Sequence, residues 1–395
     1  MTTLRGVSRF LFVVPPLAGH INPTAGVGAE LAARGHEVAW AGAPGSLRPL
    51  LADGALIFPA LDDAFDARPR PVPAPRLPPR GPEALKFFWE TYVMRLAHLM
   101  LPGVEAAIAG FAPDVVVADQ QALAGAVAAR RAGAAWATSA TTPGELLRPR
   151  GAEDWVRDQM DEFQRAVGVT DPVDLRFSGQ LVLVFTTPAL LGDVRGFGDH
   201  YVFTGPVLTA RPDRTPFPWE WLDPGRRHVL VSLGTVNQAT GDEFFRAAAD
   251  ALADLGEELQ AIIVAPPPDA QPVPPHIRFA EHVPQLALLP QLSAVVSHGG
   301  HNTVCEALAH GLPLVLAPIR DDQPLIARQV VDAGAGRLVR YRPPQPAELR
   351  DAVRVVLADP RYAAAARRVG DSFTAAGGAS TAADRLEHLA RPAAP

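Results

Sequence analysis

The chain has 395 residues, 48% hydrophobic and 20% charged, with a formal net charge of −6. That length exceeds what one hydrophobic core ordinarily serves and predicts two domains. The composition excludes global disorder, the mild acidity excludes a nucleic-acid backbone as main partner, and a single cysteine, Cys305, excludes an intrachain disulfide or a cysteine-based zinc site.

Residues 10–14 form a continuous apolar run closed by Pro15, Pro16 and Gly19. A membrane span takes ~20 apolar residues, and no small-residue cleavage site follows. The run therefore predicts a strand buried on both faces, and the chain as a whole predicts a cytoplasmic protein without leader or membrane span. Asn22 and Pro23 predict a helix start, a capping side chain followed by a residue with no N–H to lose. That helix runs to Ala33 and stops at Gly35, and Glu37–Ala41 is the next strand, completing a βαβ unit.

Residues 67–82 carry seven prolines, at 69, 71, 73, 75, 78, 79 and 82. Their missing N–H and fixed φ exclude helix and central strand; an extended loop there serves equally as a spacer or as a cover over a substrate site. Phe87, Phe88, Trp89, Tyr92 and Met94 follow on a predicted helix. Such a cluster reads as core or, alternatively, as the lining of a pocket for an apolar substrate, with Phe87, Trp89 and Tyr92 as acceptor contacts. A strand at 114–118, a helix at 122–132 and a strand near 136–139 repeat the alternation.

A second proline-rich break, Thr209–Trp221, predicts a stiff connector. Beyond it the alternation restarts with strands at 228–233, 260–264, 294–297 and 314–317, and helices at 242–255 and 303–310. Further helices at 351–359, 361–370, 371–376 and 380–389 follow. The domain boundaries predicted are 1–208, a linker at 209–221, 222–375, and a terminal segment 376–395. In doubly wound α/β units of this kind, ligands bind beyond the carboxyl ends of the strands.

His20 sits at the carboxyl end of the first strand, and Asp119 ends the strand at 114–119. Imidazole is the side chain best matched to take a proton near neutral pH, and a carboxylate on its far nitrogen would fix the tautomer. Taken singly, His20 also reads as a helix-capping loop residue and Asp119 as a strand-end turn residue. In the second half a strand runs into His298, Gly299 and Gly300, and a helix begins near Asn302 or Thr303. Glycines permit close backbone approach, and a helix N-terminus offers unpaired N–H groups and the positive end of a dipole. These are the requirements of a phosphate site, and they also describe a structural glycine turn. Glu306, one turn further, is placed to accept from hydroxyls, as are Asp322 and Gln323 at the end of the 312–317 strand.

The run from Val283-Pro284-Gln285 through His298-Gly-Gly-His-Asn-Thr303 and Glu306 to Asp322-Gln323, with the spacings HxGxxxxxExxxxG and PxxxDQ intact, resembles the donor-binding signature of the family 1 glycosyltransferases. These form the UDP-glycosyltransferase superfamily, and the bacterial natural-product enzymes are the most similar. The resemblance implies the α/β GT-B fold, two Rossmann-like doubly wound domains facing across a deep cleft. The acceptor domain would come first and the nucleotide-sugar domain second, with the last helix crossing back to the first. It implies that His298 contacts the nucleotide diphosphate, with Gly300, Asn302 and Thr303 at the helix start and Gly234 and Thr235 on the phosphate-side turn Ser232–Thr235. Glu306 would bind the ribose, Asp322 and Gln323 the sugar, and the Val283 backbone the pyrimidine edge. His282 stands where many relatives carry a base-stacking Trp. His20 and Asp119 would be the catalytic dyad.

The expected activity is inverting, metal-independent transfer of a sugar from a UDP- or dTDP-sugar to a hydroxyl of a small, largely apolar natural product. A nucleotide-sugar epimerase or hydrolase on the same scaffold is the alternative. No cofactor is expected; no D-x-D triplet occurs, so no Mg²⁺ or Mn²⁺ is either. The expected partners are the donor and acceptor molecules, with a homodimer allowed and no nucleic acid.

Overall fold

A computed structural model describes residues 6–65, 82–147, 153–208, 215–234, 241–267 and 273–391. Apart from Pro82, the proline-rich stretch 67–82 lies outside the described residues, as do Thr235 and positions 209–214 of the expected linker.

The first sheet is built from β1 (Arg9–Val13), β2 (Glu37–Gly42), β3 (Leu56–Pro59), β4 (Val115–Asp119), β5 (Ala135–Ala140), β6 (Val182–Val184) and β7 (Tyr201–Phe203), in the order β3-β2-β1-β4-β5-β6-β7. The second contains β8 (Arg227–Ser232), β9 (Leu259–Val264), β10 (Ile277–Ala280), β11 (Ala294–Ser297), β12 (Leu314–Leu316) and β13 (Gly336–Leu338), in the order β10-β9-β8-β11-β12-β13. The pairings are parallel, with Phe10 opposite Val115 and Val13 opposite Ala118 in the first sheet, and Ser232 opposite Ser297 in the second. Parallel strands covered by helices on both faces demand apolar residues at successive positions. Phe10, Leu11, Phe12 and Val13 meet that demand, the odd pair facing one core cluster and the even pair another.

The chain divides into two units: Met1–Phe185 with Arg195–Leu208 and Gly377–Pro395, and Thr186–Val194 with Thr209–Ala376. Thr186–Val194 departs from the boundary predicted at 208. Leu190 packs into a core cluster of the second unit, and the Thr187 hydroxyl lies 2.7 Å from that of Ser372.

The helix predicted to start at Asn22 starts at Ala18 and runs to Ala33, with Leu17 as its N-cap. The carbonyl of Leu17 already accepts from the Ile21 N–H at 3.0 Å, so Asn22 lies inside the helix and Pro23 is an interior proline that forfeits one backbone bond. The predicted aromatic helix is longer than its sequence pattern suggested. Pro82–Phe88 continues through a π-helical turn, Trp89–Val93, into Met94–Phe111. By length and composition alone its stretch Leu85–Phe111 is long and apolar enough to cross a membrane. Its apolar face is instead used in the core: Trp89, Tyr92, Leu96, Met100 and Val104 all belong to the largest cluster of the first unit.

The last helix, Gly378–Leu389, belongs to the first unit, and the residues holding it there can be named. Ala382, Ala383 and Leu386 join the cluster of Phe10, Phe12 and Ile21. Arg34, the C-cap of the first helix, bonds Asp384 Oδ1 at 2.6 Å, Glu387 Oε1 at 3.1 Å and Ser380 Oγ at 2.9 Å. His36 bridges two elements. Its Nδ1 accepts from the Ser8 N–H at 3.2 Å, so the proton sits on Nε2, which donates to Glu387 at 3.3 Å. The Arg34 guanidinium is partly exposed, which limits the strength of its ion pairs. Arg34→Ala should lower the stability of the first unit by about 1–2 kcal/mol, read as a lower urea midpoint; an unchanged midpoint would show the clamp to be energetically silent.

Candidate active site

Two groups of side chains gather at strand ends, one in each unit. In the first unit β1 lies between β2 and β4, so the connections leaving β1 and β4 diverge to opposite sides of the sheet. That switch point is where open α/β sheets form a ligand crevice. The helix after β1 carries His20 in its first turn, and β4 ends on Asp119; both are buried. His20 Nδ1 lies 3.0 Å from Asp119 Oδ1 and 2.9 Å from Oδ2, so the predicted pair is brought together. The Gln121 N–H donates to Asp119 Oδ1 at 2.9 Å.

Sequence reasoning missed a third member, Thr141. Its hydroxyl lies 2.7 Å from His20 Nδ1 and 3.0 Å from Asp119 Oδ2. Thr141 directly follows β5, the neighbour of β4 in the sheet. No motif marks it; the available signal was its position at a third strand end.

Trp89 and Tyr92 are 1% and 2% exposed and belong to the hydrophobic core, the first of the two readings of this aromatic cluster; Phe87 is half-buried. Tyr92 stacks on Phe88 with ring centroids 5.3 Å apart. Burial, with the Asp119 charge added to it, pushes the Tyr92 phenol well above the usual tyrosine range. The π-helical turn thus brings core aromatics close to the His20–Asp119 group.

In the second unit the same topology recurs, with β8 between β9 and β11. Gly234 follows β8 with φ +71°, and His298 follows β11. The expectation was that glycines let the backbone approach a ligand. The geometry shows a prior use for them. A Cβ on Gly234 would lie 2.8 Å from His298 Cε1, and one on Gly300 would lie 2.7 Å from His298 Nε2. Both glycines make room for the imidazole. Burial lowers the His298 pKa to about 4, outweighing the Asp322 carboxylate and a hydrogen bond to the Ser232 carbonyl, which both favour the cation. At neutral pH the ring is therefore uncharged.

The helix predicted near Asn302 begins at His301 and ends at Ala309, with Gly300 as its N-cap. Gly300 has no side chain to cap it, and the helix's own first turn carries no acidic residue to offset the positive end of its dipole. Asn302 and Thr303 stand in this half-buried first turn. Glu306, one turn on, is buried, and its Oε2 accepts from Gln285 Nε2 at 2.7 Å. Val283 is half-buried, and its carbonyl accepts from the Gln285 N–H at 2.8 Å; His282 beside it is exposed.

After β12, Gln323 Oε1 accepts the N–H groups of Ile319 and Arg320 at 2.9 and 3.1 Å. Two backbone donors on one atom fix it as the oxygen, so the amide NH₂ is the end that can meet a hydroxyl. Asp322 is the N-cap of the helix Gln323–Asp332, and its charge reaches His298. Asp321 before it adopts φ +57°, uncommon for a residue other than glycine. Gly234, His298, Gly300 and Asp322–Gln323 thus gather at the ends of β8, β11 and β12. Among the described residues, no group of three or more His, Cys, Asp or Glu side chains is placed to hold a metal ion.

A histidine kept neutral by burial couples stability to pH. Between about pH 6.5 and 4 the unfolded chain binds a proton at this position that the folded protein excludes, so stability falls as pH falls. The whole window amounts to roughly 3 kcal/mol. His298→Gln should flatten the pH dependence of the urea midpoint between pH 4 and 6.5; an identical slope in wild type and variant would refute the assignment.

The chain is similar to known proteins. Residues 236–389 match the family described as erythromycin biosynthesis protein CIII-like, C-terminal domain. The chain is 30% identical to 4'-demethylrebeccamycin synthase of Lentzea aerocolonigenes, over 97% of this chain and 99% of that one. It is 28% identical to demethyllactenocin mycarosyltransferase of Streptomyces fradiae, over 98% of this chain and 88% of that one. Among solved structures it superposes on the calicheamicin glycosyltransferase with TM-score 0.78 and 26% identity, covering 98% of this chain and all of that one. Near-complete coverage of the demethylrebeccamycin synthase at that identity, with the donor motif in place at the ends of β8, β11 and β12, makes this chain a family 1 glycosyltransferase of the GT-B fold, akin to the bacterial natural-product enzymes.

Proposed function

We propose that this enzyme transfers a sugar, with inversion and without a metal ion, from a UDP- or dTDP-sugar to a hydroxyl of a small, largely apolar natural product. The observation that carries the reading is the buried His20 imidazole with Asp119 on its Nδ1, 2.9 Å away. A free alcohol is a poor nucleophile, and a base held in one tautomer answers that need.

In the proposed reaction the acceptor oxygen attacks the anomeric carbon as its proton passes to His20 Nε2. The bond from that carbon to the diphosphate oxygen breaks, and the nucleoside diphosphate leaves from the opposite face, so the configuration inverts. Asp119 stabilises the imidazolium that forms. Charge on the departing diphosphate falls to the N–H groups of the helix His301–Ala309, to Thr303 and Thr235, and to the His298 ring, whose pKa a bound dianion draws upward from about 4. Fixed helix donors take the part a metal ion plays elsewhere. Glu306, oriented by Gln285, receives the ribose hydroxyls; Asp322 accepts from the sugar, and the Gln323 amide donates to it. Val283 and His282 flank the base. Nucleotide sugars are cytoplasmic metabolites, and we place the reaction there.

The decisive experiment incubates the enzyme with UDP- and dTDP-glucose and a panel of hydroxylated aromatic acceptors, and reads product by mass. Wild type should form glycosides, and His20→Ala should lose at least a hundredfold in kcat/KM for alcohol acceptors, in line with typical general-base contributions of about 10²–10⁴. Unchanged turnover in that variant would sink the assignment. Gln323→Glu keeps an acceptor for the Ile319 and Arg320 N–H groups but removes the donor. It should fold normally and raise the KM for the nucleotide sugar about tenfold or more, and an unaltered KM would place the sugar elsewhere.

A further inference from the structure

We propose that Thr141 is a positioning residue of the transfer reaction: its hydroxyl locks the Asp119 carboxylate and fixes the proton of His20 on Nδ1. The inference rests on the reading of His20 as the base.

The proton inventory admits one consistent arrangement. An ionised carboxylate only accepts, so each neighbour of Asp119 must donate. Oδ1 receives the Gln121 N–H at 2.9 Å, and Oδ2 receives the Thr141 hydroxyl at 3.0 Å. Each oxygen thus has its own donor, one from the backbone and one from a side chain, and rotation of the carboxylate would break both bonds. Thr141 has a single proton, which this bond uses. Its oxygen, 2.7 Å from His20 Nδ1, must then accept, so Nδ1 carries the hydrogen and Nε2 the lone pair. The opposite tautomer would set a bare Nδ1 against both carboxylate oxygens at 2.9 and 3.0 Å, lone pair against lone pair.

The fold holds Thr141 for this task. It is 2% exposed and directly follows β5, whose Ser139 pairs in register with Asp119. The Gln120 side chain donates to the Thr142 carbonyl at 3.1 Å, and the Thr142 hydroxyl accepts from the Gly144 N–H at 3.1 Å. Three residues on, Glu145 pairs with the buried Arg176, which also binds Glu153 and Asp174. The segment after β5 is thereby anchored on both sides of Thr141.

Thr141→Val preserves shape and removes the hydroxyl; Thr141→Ser preserves the hydroxyl. With whichever of UDP- or dTDP-glucose wild type uses, rates are compared for phenol, which must lose its proton during transfer, and for 4-nitrophenol, largely ionised already at pH 8. Thr141→Val should lower kcat on the order of tenfold for phenol, with KM for the nucleotide sugar unchanged. For 4-nitrophenol the loss should be less than twofold, and Thr141→Ser should retain at least half of wild-type kcat for both. The downfield Nδ1–H proton resonance of His20, assigned by its absence in His20→Ala, should move in the valine variant and stay in the serine variant. Equal losses for both phenols with an unmoved resonance would overturn the proposal and leave Thr141 a packing residue. A His20→Ala enzyme as fast as wild type would instead overturn the reading of the base itself, whatever Thr141 does.

Discussion

Both candidate sites depend on one constraint, the reversal of strand order at the first strand of each parallel sheet. Because β1 is flanked by β2 and β4, and β8 by β9 and β11, the chain leaves neighbouring strand ends in opposite directions. The backbone there cannot close over itself, and polar side chains can be buried at that edge only by bonding one another or a ligand. His20, Asp119 and Thr141 satisfy that condition in one sheet; Gly234, His298 and Gly300 occupy the corresponding place in the other.

The two imidazoles are treated in opposite ways. His20 stands beside a carboxylate 2.9 Å away. His298 is enclosed between two glycines, and burial outweighs the pull of Asp322. The first ring has a counter-charge beside it; the second is enclosed and uncharged at neutral pH. Such division of labour between like side chains comes from environment alone.

Much of this was legible in the sequence where a local signal existed. The apolar runs of β1, β4, β8 and β11 announce buried parallel strands, and the glycine-rich turn with Glu306 eight residues after His298 announces the donor helix. What escaped were features set by tertiary context. Thr141 carries no motif, because its role arises from the pairing of β4 with β5. The first helix begins at Ala18, before its proline, because burial of Ile21 and Val27 offsets the cost of an interior proline, about 3 kcal/mol. Trp89 and Tyr92 are large and apolar, and composition cannot say whether such residues fill a core or line a pocket. The neighbours Phe88, Phe65 and Leu96 decide it. The assignment of Thr186–Val194 to the second unit likewise depends on where Leu190 finds a cluster to join.

The clamp of Arg34 and His36 on the last helix has a consequence for biogenesis. On the ribosome the chain emerges from its amino end, and domains ordinarily fold as they appear. Here the first unit cannot cover Phe10, Phe12 and Ile21 until Ala382, Ala383 and Leu386 have been translated, some 350 residues after Arg34. The first unit therefore has most of its sheet translated early but cannot close its core until the last helix is made.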